Sequence, residues 1–204
     1  MEPPAGARSV TVAAGRLRRW LDGFTQRHGA TDVADAPETV ALTGADGSRA
    51  WIEVPFPPLH GSLADHAERT RRVGVLLVRR GGHAAGIFER SALVASKVGS
   101  SYVQGTTKAG GWSQQRYARR RANQASASFA DAADEAVRIL GNQVLDALVT
   151  GGDRAAVRAV LADRRLAHLE PLVTKPWLPV KDPRLRILAA TPEQFLAVRI
   201  VLDP

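Results

Sequence analysis

The 204 residues can bury a substantial core, and length alone leaves one domain, or one domain with a subdomain, equally open. The 28 Lys and Arg against 20 Asp and Glu give a net charge of +8, which leans toward a polyanionic partner. The absence of cysteine excludes disulfides, thiol nucleophiles, cysteine zinc ribbons and iron-sulfur centres together.

Residues 1 to 10 are rich in Pro, Gly and Ala and are expected to be disordered. They lack the charged and apolar regions of a secretory signal, and no apolar run approaches the roughly 18 residues of a membrane span. The chain is therefore expected to be soluble and cytoplasmic. From Val12 to about Arg27, Val12, Leu17, Trp20, Leu21 and Phe24 share one helical face, with Gly29 as the stop. Thr39–Thr43 and Ala50–Val54 flank Ala45-Asp46-Gly47-Ser48, the turn chemistry of a hairpin. Pro55, Pro57 and Pro58 break the pattern, and a boundary near residue 66 separates an N-terminal elaboration, 1–66, from a core, 67–204.

Val73–Val78 is a continuous apolar run, as in a strand buried on both faces, and Arg79-Arg80-Gly81-Gly82 supplies a tight turn. Ala84–Glu89 and Ala92–Val98 are two further strands, and such short links force an antiparallel meander. A long loop then leads to a helix from Ser113 or Gln114 to about Leu140. Its inner stripe is Ala122, Ala125, Phe129, Ala133, Ala136, Val137 and Leu140. Leu145–Thr150 reads as a strand, and Asp153 as the N-cap of a helix through Leu161. Alternation around His168–Val173 and the run Leu185–Ala189 suggest more strand, and Thr191-Pro192-Glu193 opens a last short helix. The pattern predicts an α+β fold: a mixed sheet carrying the three-strand meander, with helices packed on it.

The chemistry concentrates between Gly105 and Gln124. Ser113 is placed as an N-cap, so Gln114 and Gln115 fall in the first helical turn, beside N–H groups that have no helical partner. Such a site favours an anion or a developing oxyanion. Gly110 and Gly111 let the backbone approach another molecule closely. Lys108, Arg116, Arg119, Arg120 and Arg121 surround the tip with positive charge, and Trp112 and Tyr117 offer stacking surfaces for RNA. Neither glutamine can act as a general base near neutral pH. Catalysis here has to come from positioning a water, ordering a carbonyl or donating to an oxyanion, which suits an activated ester better than an amide or a phosphodiester.

Lys108-Ala109-Gly110-Gly111-Trp112-Ser113-Gln114, running into the Arg-rich helix and Ala122-Asn123, resembles the release-factor-like domain of the Vms/ANKZF-type peptidyl-tRNA hydrolases, above all their stand-alone actinobacterial relatives. The resemblance spans about residues 70 to 140. It implies the middle-domain architecture of eukaryotic and archaeal class I release factors, which is ribonuclease-H-like, and hydrolysis of the ester between nascent peptide and tRNA on stalled large ribosomal subunits. It assigns the catalytic amide to Gln114 and the loop glycines to Gly110 and Gly111. Trp112-Ser113 separates the glycines from the glutamine, which are contiguous in release factors, so Gln115 stays open as the alternative. The implied partners are ribosomal RNA and peptidyl-tRNA, with no cofactor, for a monomer acting without reading a codon.

Two readings therefore stand, an esterase acting through Gln114 or Gln115 and a non-catalytic RNA-binding module that docks the same tip. The five histidines, His28, His60, His66, His83 and His168, lack the spacing of a metal site. Gly105-Thr106-Thr107-Lys108 lacks the order of a phosphate loop, and no nucleophile-elbow motif occurs. Trp20, Trp51 and Trp177 are expected in the core. Asp131, Asp134 and Glu135 are expected on a solvated face, within reach of Arg138.

Overall fold

A computed structural model describes residues 6–100 and 113–203, with side chains in the helix that starts at Ser113 described from residue 127. The chain begins with β1 (Arg8–Ala13), α1 (Ala14–His28), β2 (Thr31–Asp35), β3 (Thr39–Gly44), β4 (Arg49–Glu53) and α2 (Leu63–Glu68). Next come β5 (Arg72–Arg79), β6 (Gly82–Glu89), β7 (Ala92–Ser100) and the long α3 (Ser113–Leu140). After them stand β8 (Ala147–Gly152), α4 (Arg154–Leu161), a 3-10 segment Arg164–Leu172 and β9 (Val173–Leu178), then α5 (Leu185–Ala189), α6 (Pro192–Phe195) and β10 (Ala197–Leu202). The class is α+β, as the residue pattern predicts.

Two compact units divide the chain: residues up to Thr70 together with those from Pro192, and residues Arg71–Thr191. The first holds an antiparallel sheet in the order β1-β10-β4-β3-β2. Leu17 and Phe24 of α1 are buried against Val40, Leu42, Ile52, Val198 and Ile200. The hairpin expected around Asp46-Gly47 is present, with Gly47 at φ 86° and the Asp46 Oδ1 accepting from the Ser48 N–H at 2.9 Å. Several features differ from the sequence reading. Arg8–Ala13 is a strand, because β10 pairs with all of it, from Arg8↔Leu202 to Ala13↔Ala197. That pairing draws residues 192–204 into the first unit, whereas the sequence boundary near residue 66 ran the core to residue 204. Leu185–Ala189 is a helical turn, not a strand: the Ile187 and Leu188 N–H groups both donate to the Arg184 carbonyl at 2.9 Å.

The second unit holds the mixed sheet, ordered β7-β6-β5-β8-β9. β5, β6 and β7 form the antiparallel meander, while β8 runs parallel to β5 and to β9. From α3, Ala132, Ala133, Ala136 and Leu140 pack with Leu76, Val78, Ala85 and Ile87 of the strands, and α4 adds Ala156, Val157 and Val160. Phe129 and Val137 of the expected stripe also pack there, while the side chains of Ala122 and Ala125 lie outside the described residues. Leu166 and Leu169 are buried three residues apart, the period of the 3-10 segment that replaces the alternation expected near His168. At the end of β8, a Cβ on Gly151 would stand 2.5 Å from the Leu178 carbonyl oxygen. Gly151→Ala should therefore cost about 1–3 kcal/mol in urea unfolding, while Gly81→Ala, at a position with open space around it, should stay within about 0.5 kcal/mol of wild type.

His83 of β6 stands opposite Gly99 of β7 and is only 4% exposed. Its ring covers Gly99 so closely that a Cβ there would collide with it, and neither ring nitrogen has a hydrogen-bond partner among the described residues. Burial pushes its pKa down, and the Glu135 and Asp131 carboxylates of α3 oppose that shift. The folded protein thus takes up this proton at lower pH than the unfolded chain. The stabilisation is complete above about pH 6.5 and declines as the pH falls from there toward the folded value. Urea unfolding at pH 7 and pH 5.5 should show wild type losing stability on acidification, by at most about 1.4 kcal/mol per pH unit from this one proton. His83→Leu should remove that part of the slope.

Candidate nucleic-acid interface

Strand register aligns one edge of the second unit's sheet. Ser100, the last residue of β7, stands opposite Gly82; Gly82 stands opposite Arg79; Val78 pairs with Gly152; and Gly151 pairs with Leu178. The end of β7 therefore lies in one row with the carboxyl ends of the parallel strands β5, β8 and β9. Ligands of open α/β sheets gather at such an edge. Gly152, at φ 99°, lets β8 finish against the Val78 carbonyl, and the Arg79 Cδ lies 3.3 Å from where a Gly152 Cβ would be. Asp153 then caps α4, its Oδ1 accepting from the Ala155 and Ala156 N–H groups at 2.9 and 3.1 Å. This starts α4 at the same edge with Arg154 first, and the Arg154 guanidinium lies over the Trp177 ring, 4.3 Å from its centroid.

The direction of α3 follows from its other end. After Leu140, the Asp146 N–H donates to the Arg72 carbonyl at 2.9 Å, and the Asp146 carboxylate accepts from the Arg72 N–H at 2.7 Å. The Arg72 guanidinium is fixed in turn by Glu89 at 2.6 Å and Gln143 at 2.9 Å. This clasp holds the end of α3 at the amino ends of β5 and β8, so the helix runs back along the sheet with its N-terminus toward the carboxyl edge. Its 28 residues span about 42 Å at 1.5 Å each, against about 26 Å for the eight residues of β5.

The helix begins at Ser113, which puts Gln114 and Gln115 in its first turn and Arg116, Tyr117, Arg119, Arg120 and Arg121 in the next two. The side chains of these seven, and Lys108, Gly110, Gly111 and Trp112 altogether, lie outside the described residues. Sequence reasoning missed the edge itself. Arg79 and Arg80 were legible only as turn residues beside Gly81-Gly82. Arg154 and Trp177 share no local signal, and Trp177, expected in the core, is only partly buried, with its ring beneath Arg154. The acidic face of α3 is as expected in the exposure of Asp131 and Asp134 and in the pairing of Glu135 with Arg138, and departs from it in one partner and in the burial of Glu135. Asp134 pairs with Arg165 at 2.6 Å, while Glu135 is half-buried, 3.6 Å from Arg138.

Charge is divided unevenly. Residues 71–191 carry 20 Lys and Arg against 9 Asp and Glu, and the other unit carries 8 Arg against 11 acids. Within the basic unit many acids are already neutralised: Glu89 by Arg72, Asp134 and Asp163 by Arg165, and Asp182 by Arg184. The Arg165 hydrogen bond, with that of its N–H, brings the Asp163 carboxyl down to about 2. Arg79, Arg80 and Arg154 are exposed and make no ion pair among the described residues.

Among solved structures, the crystal structure of an archaeal translation termination factor, aRF1, aligns at a TM-score of 0.46 and 14% identity, over 94% of this chain and 66% of that one. An archaeal protein aligns at 0.33 and 14%, over 90% and 64%. This chain thus spans just under two thirds of either. Comparison with curated protein sequences gives no match. The sequence model of the Actinobacteria/chloroflexi VLRF1 release factor matches residues 71–201, the whole of the basic unit, α6 and β10 but for its last residue. With well over half of its 204 residues in that match, the chain belongs to the acVLRF1 release-factor family.

Proposed function

We propose that this protein hydrolyses peptidyl-tRNA on stalled large ribosomal subunits, in the cytoplasm and without reading a codon, with the carboxamide of Gln114, or of its neighbour Gln115, positioning the attacking water. The observation that carries this reading is the start of α3 at Ser113. Residues 114 and 115 follow it within a first turn whose N–H groups have no helical acceptor, and in sequence four arginines and no acid come next. Family membership, and a charge balance that loads this unit with cations, supply the RNA context.

The chemistry follows from what a carboxamide can do. Water adds to the ester carbonyl carbon, the oxyanion that forms needs donors, and the carbon–oxygen bond to the ribose then breaks. The water's proton ends on the leaving ribose oxygen. A glutamine neither takes nor gives that proton. Its carbonyl accepts from the water and its NH₂ donates, so the attacking oxygen is held on line while backbone N–H groups and basic side chains stabilise negative charge. No resident cofactor enters this scheme, and a monomer suffices.

Gln114→Ala should reduce peptide release from peptidyl-tRNA on isolated large subunits by about 100- to 1,000-fold, the loss typical of one oxyanion-site donor, with subunit binding nearly unchanged. Normal release by both Gln114→Ala and Gln115→Ala would leave only an RNA-binding module. Replacing Arg119, Arg120 and Arg121 with Ala should weaken association about equally for different RNAs. It should also flatten the log-log salt dependence by up to about 0.9 per lost contact on duplex and about 0.7 on single strands. Salt-insensitive binding would make this helix face plain solvated surface.

A further inference from the structure

We propose that the carboxyl edge of the second unit's sheet, where Arg79, Arg80 and Arg154 stand beside Trp177, is a second RNA contact that grips the sugar-phosphate backbone. The proposal rests on the functional reading above only in taking the polyanion to be RNA. The arginines come from two places that register brings together, the end of β5 and the start of α4. Val78 pairs with Gly152, the Arg79 side chain lies across Gly152, and Arg154 follows two residues later.

Each cation is placed rather than merely present. Arg79 is the last residue of a strand whose six preceding residues are buried. It reaches over Gly152 because that residue has no side chain to obstruct it. The Arg154 guanidinium is held over the Trp177 indole, a cation–π contact that consumes none of the N–H donors a guanidinium offers to phosphate oxygens. A guanidinium fixed in advance loses less freedom when phosphate arrives. The acid adjacent in sequence, Asp153, is engaged by two N–H groups of α4, and Asp182 by Arg184.

The same edge is the one toward which α3 points its N-terminus, and residues 101–126 hold five Lys and Arg with no acid. Cations thus continue in sequence and topology from the sheet edge to the helix start. An extended backbone with evenly repeated charge fits such a strip better than the scattered carboxylates of a protein surface. In the other unit, acids outnumber bases, so it competes little for the same partner.

The test uses full-length protein and a fluorescein-labelled RNA hairpin, with anisotropy followed between low and physiological salt. Arg79→Ala/Arg154→Ala should weaken binding about tenfold at low salt and lower the log-log slope by about 1.4 to 1.8, two contacts' worth. The charge-matched control Arg8→Ala/Arg27→Ala removes two exposed arginines of the first unit and should change neither by more than about twofold. Trp177→Phe keeps a ring beneath Arg154 and should retain the wild-type slope. Equal losses in the two double variants would reduce the edge to general surface charge and overturn the proposal. So would an unchanged slope, or displacement of the hairpin by polyglutamate as readily as by unlabelled RNA. All four arginines are exposed, so unchanged melting temperatures should exclude unfolding as the cause. On large subunits, the edge variant should raise the half-saturating concentration for release at an unchanged maximal rate. If the Gln114 and Gln115 variants release normally, the hydrolase reading falls, while the RNA edge still stands or falls on the hairpin slopes.

Discussion

The parallel pairing of β8 with β5 is the constraint from which the rest of the second unit follows. An antiparallel neighbour can be reached by a two-residue turn, as Arg80-Gly81 does between β5 and β6, but a parallel neighbour requires the chain to travel the length of the sheet first. β7 delivers the chain to the carboxyl edge at Ser100, and β8 must begin at the opposite edge, at Ala147. α3 makes that journey. Its N-terminus is therefore committed to the carboxyl edge before any question of function arises, and its C-terminus to the clasp of Asp146 and Arg72.

The two halves of α3 obey different rules. The later half is an ordinary packed helix: Ala132, Ala133 and Ala136 bring its axis close to the strands, and Leu140 fills the space beside Leu148. Tertiary packing of this kind, more than propensity, sustains helices. The earlier half places Arg116, Arg119, Arg120 and Arg121 near the positive end of the helix dipole, with no acidic residue in the first turn. That arrangement is the reverse of what an isolated helix prefers. Sequences depart from local preference where a partner offsets the cost, and the proposed RNA partner, an anion, would do so here.

How much of this the residues disclosed follows the range of the interactions involved. The meander was legible because Val73–Val78 is uniformly apolar and its links are two residues long; α3 was legible because its apolar positions repeat at helical spacing. β1 and β10 were not, because Arg8–Ala13 becomes a strand only by pairing with residues nearly the whole chain away, and nothing near Val10 signals a partner at Ile200. Leu185–Ala189 has strand composition but no described strand pairs with it, so local N–H groups close a helical turn instead. The same distinction runs through the site. Residue types alone marked Gln114, Gln115 and the arginines after them, whereas Arg79, Arg154 and Trp177 are joined only by register across strands distant in sequence.

A neutral amide makes unusual demands on such a scaffold. A histidine or carboxylate base tolerates modest misplacement because proton transfer supplies part of the rate, but a glutamine contributes only through geometry, and misplacement by about 1 Å can cost about 100-fold. Accuracy at the amide therefore has to come from elsewhere. One source is the anchored half of α3, since a helix carries orientation along its axis. In the proposed reading the other is the RNA itself: cations spread along the edge and the helix start would hold a large polyanion at several points, restricting its rotation about any one of them. On that proposal charge does the orienting, and the uncharged amide is left to do the chemistry.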